Sequence, residues 1–252
     1  MGIPQRGIFS RHLCHPLEAS LLEGQDVFRL KGDSCPYFPD GRIRESLNFV
    51  SHSIDPAVYE GLLAFGWRRC GLLFYKNLCT ECESCLPIRV DSALFRPDRS
   101  MRRCLAANED MLIEAGEPGD FDEDFELFSR YCSSRHADHS SRREEFRLFL
   151  SEPPLPSIAL RHRLPGGRLA CVAWTDILAG SLSAVYTAFD PEMPKRGLGV
   201  FSILTQIELC RRLKKRHLQL GFYIKGCRKM SYKDRYKPFQ HAGRDGVWVG
   251  HE

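Results

Sequence analysis

Five consecutive runs decide the fold: SIALRHRL (Ser157–Leu164), RLACVAWTDIL (Arg168–Leu178), SLSAVYTAFDP (Ser181–Pro191), GVFSILTQIELCRRLKK (Gly199–Lys215) and HLQLGFYI (His217–Ile224). The first three are rich in apolar, β-branched and aromatic residues. Pro165-Gly166-Gly167 and Gly180 separate them, so they read as successive strands. The fourth places Val200, Ile203, Ile207 and Cys210 on one helical face. Its basic residues gather at the C-terminal end, where the helix dipole favours them. The fifth run reads as another strand, and DGVWVG (Asp245–Gly250) as a last one.

Working outward, DMLIEAGEP (Asp110–Pro118) reads as a strand ending in a Gly/Pro turn. FDEDFELFSRYC (Phe121–Cys132) spaces Phe121, Phe125 and Phe128 by four and three, one face of an amphipathic helix. SRREEFRLFL (Ser141–Leu150) repeats that logic with Phe146, Phe149 and Leu150. The order strand, helix, helix, three strands, helix, strand is that of an acetyltransferase-like (GNAT) domain. The segment before it differs in character. SMRRCLAANED (Ser100–Asp110) has helical composition. Residues 25–90 are aromatic and cysteine-bearing, with turn signals at Pro36, Pro39, Asp40 and Gly41. Asp55-Pro56 reads as a cap and first turn of a helix through Glu60 and Leu63. Arg68 to Tyr75 reads as a strand, and the first twenty residues as a loosely structured lead-in. The expected class is therefore α+β, with a small cysteine-bearing N-terminal domain (residues 1–104) and an acetyltransferase-like domain (residues 105–252).

Composition narrows the function classes. The 252 residues are 43% apolar and 27% charged, which argues against disorder. The net charge of +4 is a mild bias, but Arg211, Arg212, Lys214, Lys215 and Arg216 form a dense basic run. No apolar run approaches the ~18 residues of a membrane span. The opening residues lack the apolar core of a signal peptide. Eleven cysteines, an odd number in a chain without a signal, point to reduced thiols or a metal site in a cytoplasm.

Cys79-Thr-Glu-Cys82-Glu-Ser-Cys85 is the sharpest motif. Two-residue spacers let a short loop turn several thiolates toward one ion. Cys35 is the first choice for a fourth ligand, with Cys70 and Cys14 as alternatives. Structural zinc or a single iron–sulfur cluster would fit, although Cys85-Leu86-Pro87 departs from the ferredoxin pattern. Cys104, Cys132, Cys171, Cys210 and Cys227 lack such neighbours and are assigned to packing.

Four blocks now stand in order: Cys35-Pro-Tyr-Phe38, YKNLCTECESCLPIRVD (Tyr75–Asp91) with FRPDRSMRR (Phe95–Arg103), VYTAFDPEMPKRGLGVFSIL (Val185–Leu204) and LGFYIKGCRKMSYKDRYKP (Leu220–Pro238). Together they resemble the arginyl-tRNA–protein transferases, in particular the bacterial aspartate/glutamate leucyltransferase branch, over nearly the whole chain. The resemblance implies transfer of an aminoacyl group from charged tRNA to a protein with N-terminal Asp or Glu, creating a destabilising N-terminus for the N-degron pathway. It also implies a small cysteine-bearing domain before an acetyltransferase-like one. Two departures stand out. Eukaryotic members carry C-x-x-C where this chain has Cys35-Pro-Tyr-Phe38. The segment Arg135-His136-Ala137-Asp138-His139-Ser140-Ser141 lacks the glycine and methionine common in bacterial relatives.

The chemistry such an enzyme needs is modest. The donor ester is already activated, so no cofactor is required. The acceptor α-amine has a reference pKa of about 7.7–8.0 and is partly neutral at cytoplasmic pH. Positioning can supply ~7–11 kcal/mol. In an acetyltransferase-like domain the centre lies where the central strands splay, which directs attention to Tyr186, Tyr223, Asp190 and Lys229 as catalytic candidates, with Tyr232 and Lys233 nearby. The bland readings are a core aromatic for each tyrosine, a turn for Asp190 before Pro191, and a solvated surface for the lysines. Arg211, Arg212, Lys214, Lys215 and Lys233 are candidate tRNA contacts. Arg42, Arg69 and Arg89 are candidates for the acidic acceptor residue, because a guanidinium fork matches a carboxylate. Leucine is the expected donor residue, with Phe189, Phe201 and Phe222 available for an apolar wall. An arginine donor would instead need an unpaired carboxylate such as Asp190 or Glu208. Two other classes compete: an acetyl-CoA-dependent N-acetyltransferase and a zinc-stapled nucleic-acid-binding module. The first is weakened at Arg196-Gly-Leu-Gly-Val-Phe201, where bulky Phe201 replaces the small residue of a diphosphate cradle. The second has no use for the acetyltransferase-like half.

Overall fold

The computed structural model describes residues 15–135 and 142–251. Cys14 and the segment His136–Ser141, both singled out above, lie outside the described residues. Two sheets organise the chain. The smaller one consists of β1 (Phe28–Ser34), β2 (Ile43–Val50), β3 (Trp67–Cys70) and β4 (Leu73–Asn77), in the order β1-β2-β4-β3 and antiparallel throughout. The single strand expected from Arg68 to Tyr75 is thus a hairpin, and Gly71 turns it with φ +62°. Helix α1 (Pro16–Leu21) replaces the last part of the expected loose lead-in. Its Glu18 is buried and accepts from Trp67 Nε1 at 2.7 Å and Lys76 Nζ at 2.8 Å. Helix α2 (Pro56–Ala64) starts where expected, since Asp55 accepts from the N–H groups of Ala57 and Val58.

The larger sheet contains β5 (Leu86–Asp91), β6 (Leu112–Gly116), β7 (Ser157–Arg163), β8 (Leu169–Ile177), β9 (Ser181–Phe189), β10 (His217–Tyr223), β11 (Phe239–Ala242) and β12 (Trp248–His251). Their spatial order is β12-β11-β5-β10-β9-β8-β7-β6. Only β9 and β10 run parallel; every other neighbouring pair is antiparallel. Strand β8 is buried along all but its last residue, and its apolar run Leu169–Trp174 suits a strand covered on both faces. Helix α6 (Leu198–Arg212) packs on one face, with Ile203, Ile207 and Cys210 meeting Leu182, Leu218 and Ile88. Helix α4 (Asp122–Arg135), α5 (Arg143–Phe146) and a π-helical turn (Arg147–Ser151) gather Leu127, Phe128, Phe146 and Leu150 around Trp174 and Ala188. The helix-and-strand order read from residues 110–224 is the observed one.

The expected division near Cys104 does not coincide with the division between sheets. Strand β5 pairs with β10 and β11, and α3 (Arg99–Ala106) packs on α6. Residues 86–106 therefore belong with the larger sheet.

Candidate active site

The parallel pair at the centre opens because each strand carries an irregularity. β9 and β10 are in register only from Ser181↔His217 to Ser183↔Gln219. Beyond that point β9 holds an extra residue, since Trp174 faces Tyr186 while Thr175 faces Ala184. β10 also holds one, since Gln219 faces Arg89 while Phe222 faces Pro87. Gly221, at φ +78°, supplies the backbone conformation that the second bulge needs. The two bulges bend the strands apart and free carbonyl groups that a regular ladder would have used.

A cavity of about 170 Å³ fills this splay. Ser183, Ala184 and Val185 line one side, Leu220, Gly221 and Phe222 the other, and Met230 and Lys233 close it. The small sheet contributes Arg68, Arg69 and Tyr75, joined by Tyr37 and Tyr59. The freed β10 carbonyls are taken by cations: Lys233 Nζ donates to Phe222 O at 2.7 Å and Arg68 Nη2 to Gly221 O at 2.8 Å. A side chain on Gly221 would meet both, because its Cβ would lie 3.7 Å from Lys233 Nζ and 3.9 Å from Arg68 Nε. Burial, reinforced by the charge of Arg68, pushes the Lys233 ammonium down to about 7. That places a proton-exchanging amine at neutral pH inside the splay.

Several candidates from the sequence stand elsewhere. Tyr186 is turned by the β9 bulge into an aromatic cluster with Phe128, Phe149 and Trp174, its hydroxyl 3.7 Å from Cys132 Sγ. Tyr223 Oη donates to Asp234 at 3.3 Å. Asp190 is a turn residue that accepts from Glu192 N–H and pairs with Arg168. Burial works against its charge, but those partners hold its carboxyl below the usual range. Lys229 is exposed on α7 (Arg228–Ser231). None of these four lines the cavity among the described residues.

Lys233 is buried rather than presented to a phosphate backbone. The rest of the basic run sits at the closed end of the β9–β10 pair, where Arg216 N–H donates to Gly180 O. Arg211 donates to Ser92 O and Phe95 O, and Lys215 to Leu178 O and Ala179 O. Arg212 is largely exposed and pairs with Glu208, and Lys214 is an exposed residue at φ 54°.

The three acceptor candidates are likewise engaged. Arg69 forms a two-pronged buried pair with Asp176, at 2.8 and 2.5 Å. Arg42 pairs with Asp40 and donates to Cys82 Sγ at 3.1 Å. Arg89 lies 4.0 Å over the Trp248 ring and donates to Gln240.

Cys35, Cys79, Cys82 and Cys85 line one cavity of about 100 Å³, which shares Tyr37 and Phe222 with the splay. They are not drawn into one ligand set. Cys82 is held by Arg42 and Ser84, while Asn77 Nδ2 donates to Cys85 Sγ at 3.5 Å. Burial lifts the Cys85 thiol to about 11. Among the described residues no three His, Cys, Asp or Glu side chains are grouped to hold one metal ion. The thiols as placed do not fit a tetrahedral site.

The parallel strand pair thus opens over a basic cavity with aromatic walls. The chain belongs to the arginine-tRNA-protein transferase family: the model of the family's N terminus matches residues 33–103 and that of its C terminus residues 123–243. It is an aminoacyltransferase. Among curated proteins it is 41% identical over 217 residues to the aspartate/glutamate leucyltransferase of Saccharophagus degradans, covering 85% of this chain and 92% of that protein. The aspartate/glutamate leucyltransferase of Marinobacter nauticus is 38% identical, covering 85% and 91%. Among solved structures it resembles that of L-PGS from Bacillus licheniformis, with a TM-score of 0.51 at 12% identity over 94% of this chain and 90% of that one. That likeness is one of fold alone.

Proposed function

We propose that this enzyme moves a leucyl group from charged tRNA to the α-amine of proteins beginning with Asp or Glu, in the cytoplasm where charged tRNA resides. The curated relatives are named aspartate/glutamate leucyltransferases. The observation that carries the donor assignment is the lining of the splay. Val185, Leu220, Phe222 and Met230 give an apolar wall, and among the described lining residues there is no carboxylate. An arginyl side chain would meet Arg68 and Lys233 there, with no counter-charge from the described lining residues, at a cost of several kcal/mol. Asp190 and Glu208, the carboxylates that would have suited an arginine pocket, are already paired with arginines.

In this reading the neutral acceptor amine attacks the ester carbonyl carbon, and the tRNA ribose hydroxyl leaves as the C–O bond breaks. Lys233, neutral in part at pH 7, is the proposed acceptor of the proton released from the attacking nitrogen, which it returns to the departing ribose oxygen. Holding amine and ester together supplies most of the acceleration. No step depends on a metal. A structural zinc or iron–sulfur site at Cys35, Cys79, Cys82 and Cys85 rests on their spacing alone, and metal analysis of anaerobically purified protein decides it.

Leu-tRNA and Arg-tRNA should be supplied in parallel with peptides starting Asp, Glu, Lys and Arg. Leucine transfer to the Asp and Glu peptides is expected. Arginine transfer to the same peptides would overturn the donor assignment, and labelling only of Lys or Arg peptides would overturn the acceptor assignment as well. Of the basic run, Arg212 and Lys214 remain the proposed phosphate contacts, because their side chains are exposed. Neutralising both should lower the salt dependence of tRNA binding by about 0.7–0.9 for each phosphate that is no longer neutralised. An unchanged slope would remove them from the interface.

A further inference from the structure

Arg68 is a buried cation without an anion. It is only 7% exposed, and no carboxylate pairs with it among the described residues. Its Nη1 donates to Leu63 O at 3.1 Å and Trp67 O at 2.6 Å, and Nη2 to Gly221 O at 2.8 Å. Nε is enclosed and has no partner. Three hydrogen bonds to neutral carbonyls fix the group in place, and the Nε/Nη2 edge keeps two of its five N–H groups unmatched. This is the edge that receives a carboxylate side-on. One guanidinium face lies 4.9 Å over the Phe222 ring, which further limits its freedom. The neighbouring Arg69 differs, because Asp176 already neutralises it. A positioned guanidinium with a free edge, lining a cavity that offers it no counter-charge, is built to be completed by an incoming anion.

We infer that Arg68 receives the side-chain carboxylate of the acceptor's first residue and so sets the requirement for Asp or Glu. The inference rests on the proposed function and deepens it. The carboxylate would sit against the Nε/Nη2 edge beside Gly221, where an added Cβ would lie 3.9 Å from Nε. From there the acceptor's α-amine is one short residue away and falls within the splay, near Lys233. A tRNA phosphate is the other anion with suitable chemistry. A phosphate on Arg68 would have to enter the same cavity, and replacing Arg68 would then weaken tRNA binding instead of peptide choice.

The test measures kcat/KM for peptides that differ only in a first residue of Asp or Asn, and Glu or Gln. Wild type and Arg68→Gln are compared, alongside the Kd of each for Leu-tRNA. Wild type should prefer the acid by at least about 100-fold, because an amide leaves the buried guanidinium unpaired. In Arg68→Gln the Asp peptide should lose about 100-fold while the Asn peptide changes only a few-fold, bringing the ratio close to one, with tRNA affinity unchanged. The ratio is taken within one preparation, so a reduced folded fraction cancels from it. Should Arg68→Gln yield no folded protein, Arg68→Met supplies the same ratio. An acid preference kept within threefold of wild type would overturn the inference. So would a kept preference with weakened tRNA binding, which would assign Arg68 to a phosphate. Wild type that labels neither acidic peptide would overturn the proposed function first, and this is read before any variant.

Discussion

Replacing Lys233 with methionine is expected to slow transfer by about 10²–10⁴-fold, the usual contribution of a positioned proton acceptor, while making the protein more stable. Both effects follow from one fact. The ammonium is buried, hydrogen-bonded to Phe222 O, faced by the charge of Arg68 and pushed down to about 7. The unfolded chain holds that proton until about pH 10.4. Below pH 7 the lysine is charged in both states, and the folded state bears the full cost of burying it. Between about pH 7 and 10 only the unfolded chain stays protonated, so wild-type stability rises with pH. Methionine removes the cost. A gain of roughly 1–4 kcal/mol is expected near pH 6, shrinking as pH approaches 10, and denaturant unfolding at both ends of that range measures it.

The pH profile separates catalysis from structure. In wild type, kcat/KM should rise with a slope near two below pH 7, where both Lys233 and the acceptor amine must lose a proton. The slope should fall to one above that, as only the amine limb at about 7.7–8.0 remains. Lys233→Met should show slope one up to the amine limb, with no break near pH 7. A variant that keeps the limb near 7 would remove Lys233 from the reaction, and one that is destabilised would overturn the stability prediction.

The second large effect concerns the join between the two sheets. Arg69 of β3 and Asp176 of β8 are both buried, and Asp176 also accepts from Ser157 Oγ at 2.7 Å. Burial works against the charge on Arg69, and Asp176 outweighs it. Asp176→Ala leaves that guanidinium buried and unpaired, which costs about 3–5 kcal/mol. For a chain of this size each kcal/mol lowers Tm by about 2–4 °C, so a fall on the order of 10 °C is expected in a thermal scan. Replacing Arg69 and Asp176 together with Met and Leu should recover most of the loss, because it removes both desolvated charges. A double-variant loss equal to the sum of the losses in the two single variants would show that the pair is not coupled. Because Arg69 and Arg68 are adjacent in one strand, the single variant should also disturb the cavity and lower activity.

The strands and helices of residues 110–224 could be read in the chain because each carries its own signal. β8 opens on the apolar run Leu169–Trp174, α6 has a 3.6-residue stripe, and Pro165-Gly166-Gly167 and Gly180 mark the turns. Strands β1, β2, β5 and β11 carried weaker signals. β1 is polar and at an edge. LPIRVD reads as the tail of the cysteine loop, and only its pairing with β10, far along the chain, makes it the middle of the larger sheet. The cysteine motif was the most conspicuous feature of the sequence. Spacing alone cannot say that Cys82 would turn to Arg42 and Ser84 while Cys85 packs beside Asn77.

The family, the order of elements in the larger domain and, through the family, the chemistry of donor and acceptor are legible in the chain alone, since four blocks in register survive any detail of packing. Tertiary structure alone decided which charged residues can act. Lys233 reads as one more member of a basic stretch, and Arg68 and Arg69 as an ordinary surface doublet, because lysine and arginine are seldom buried. Two bulges, one of them at Gly221, open the central strands and draw Arg68 and Lys233 inside against freed carbonyls. Asp176 silences Arg69, and nothing among the described residues silences Arg68. Charge is written in the residue, but the cost of burying it and the presence of a partner are properties of the fold.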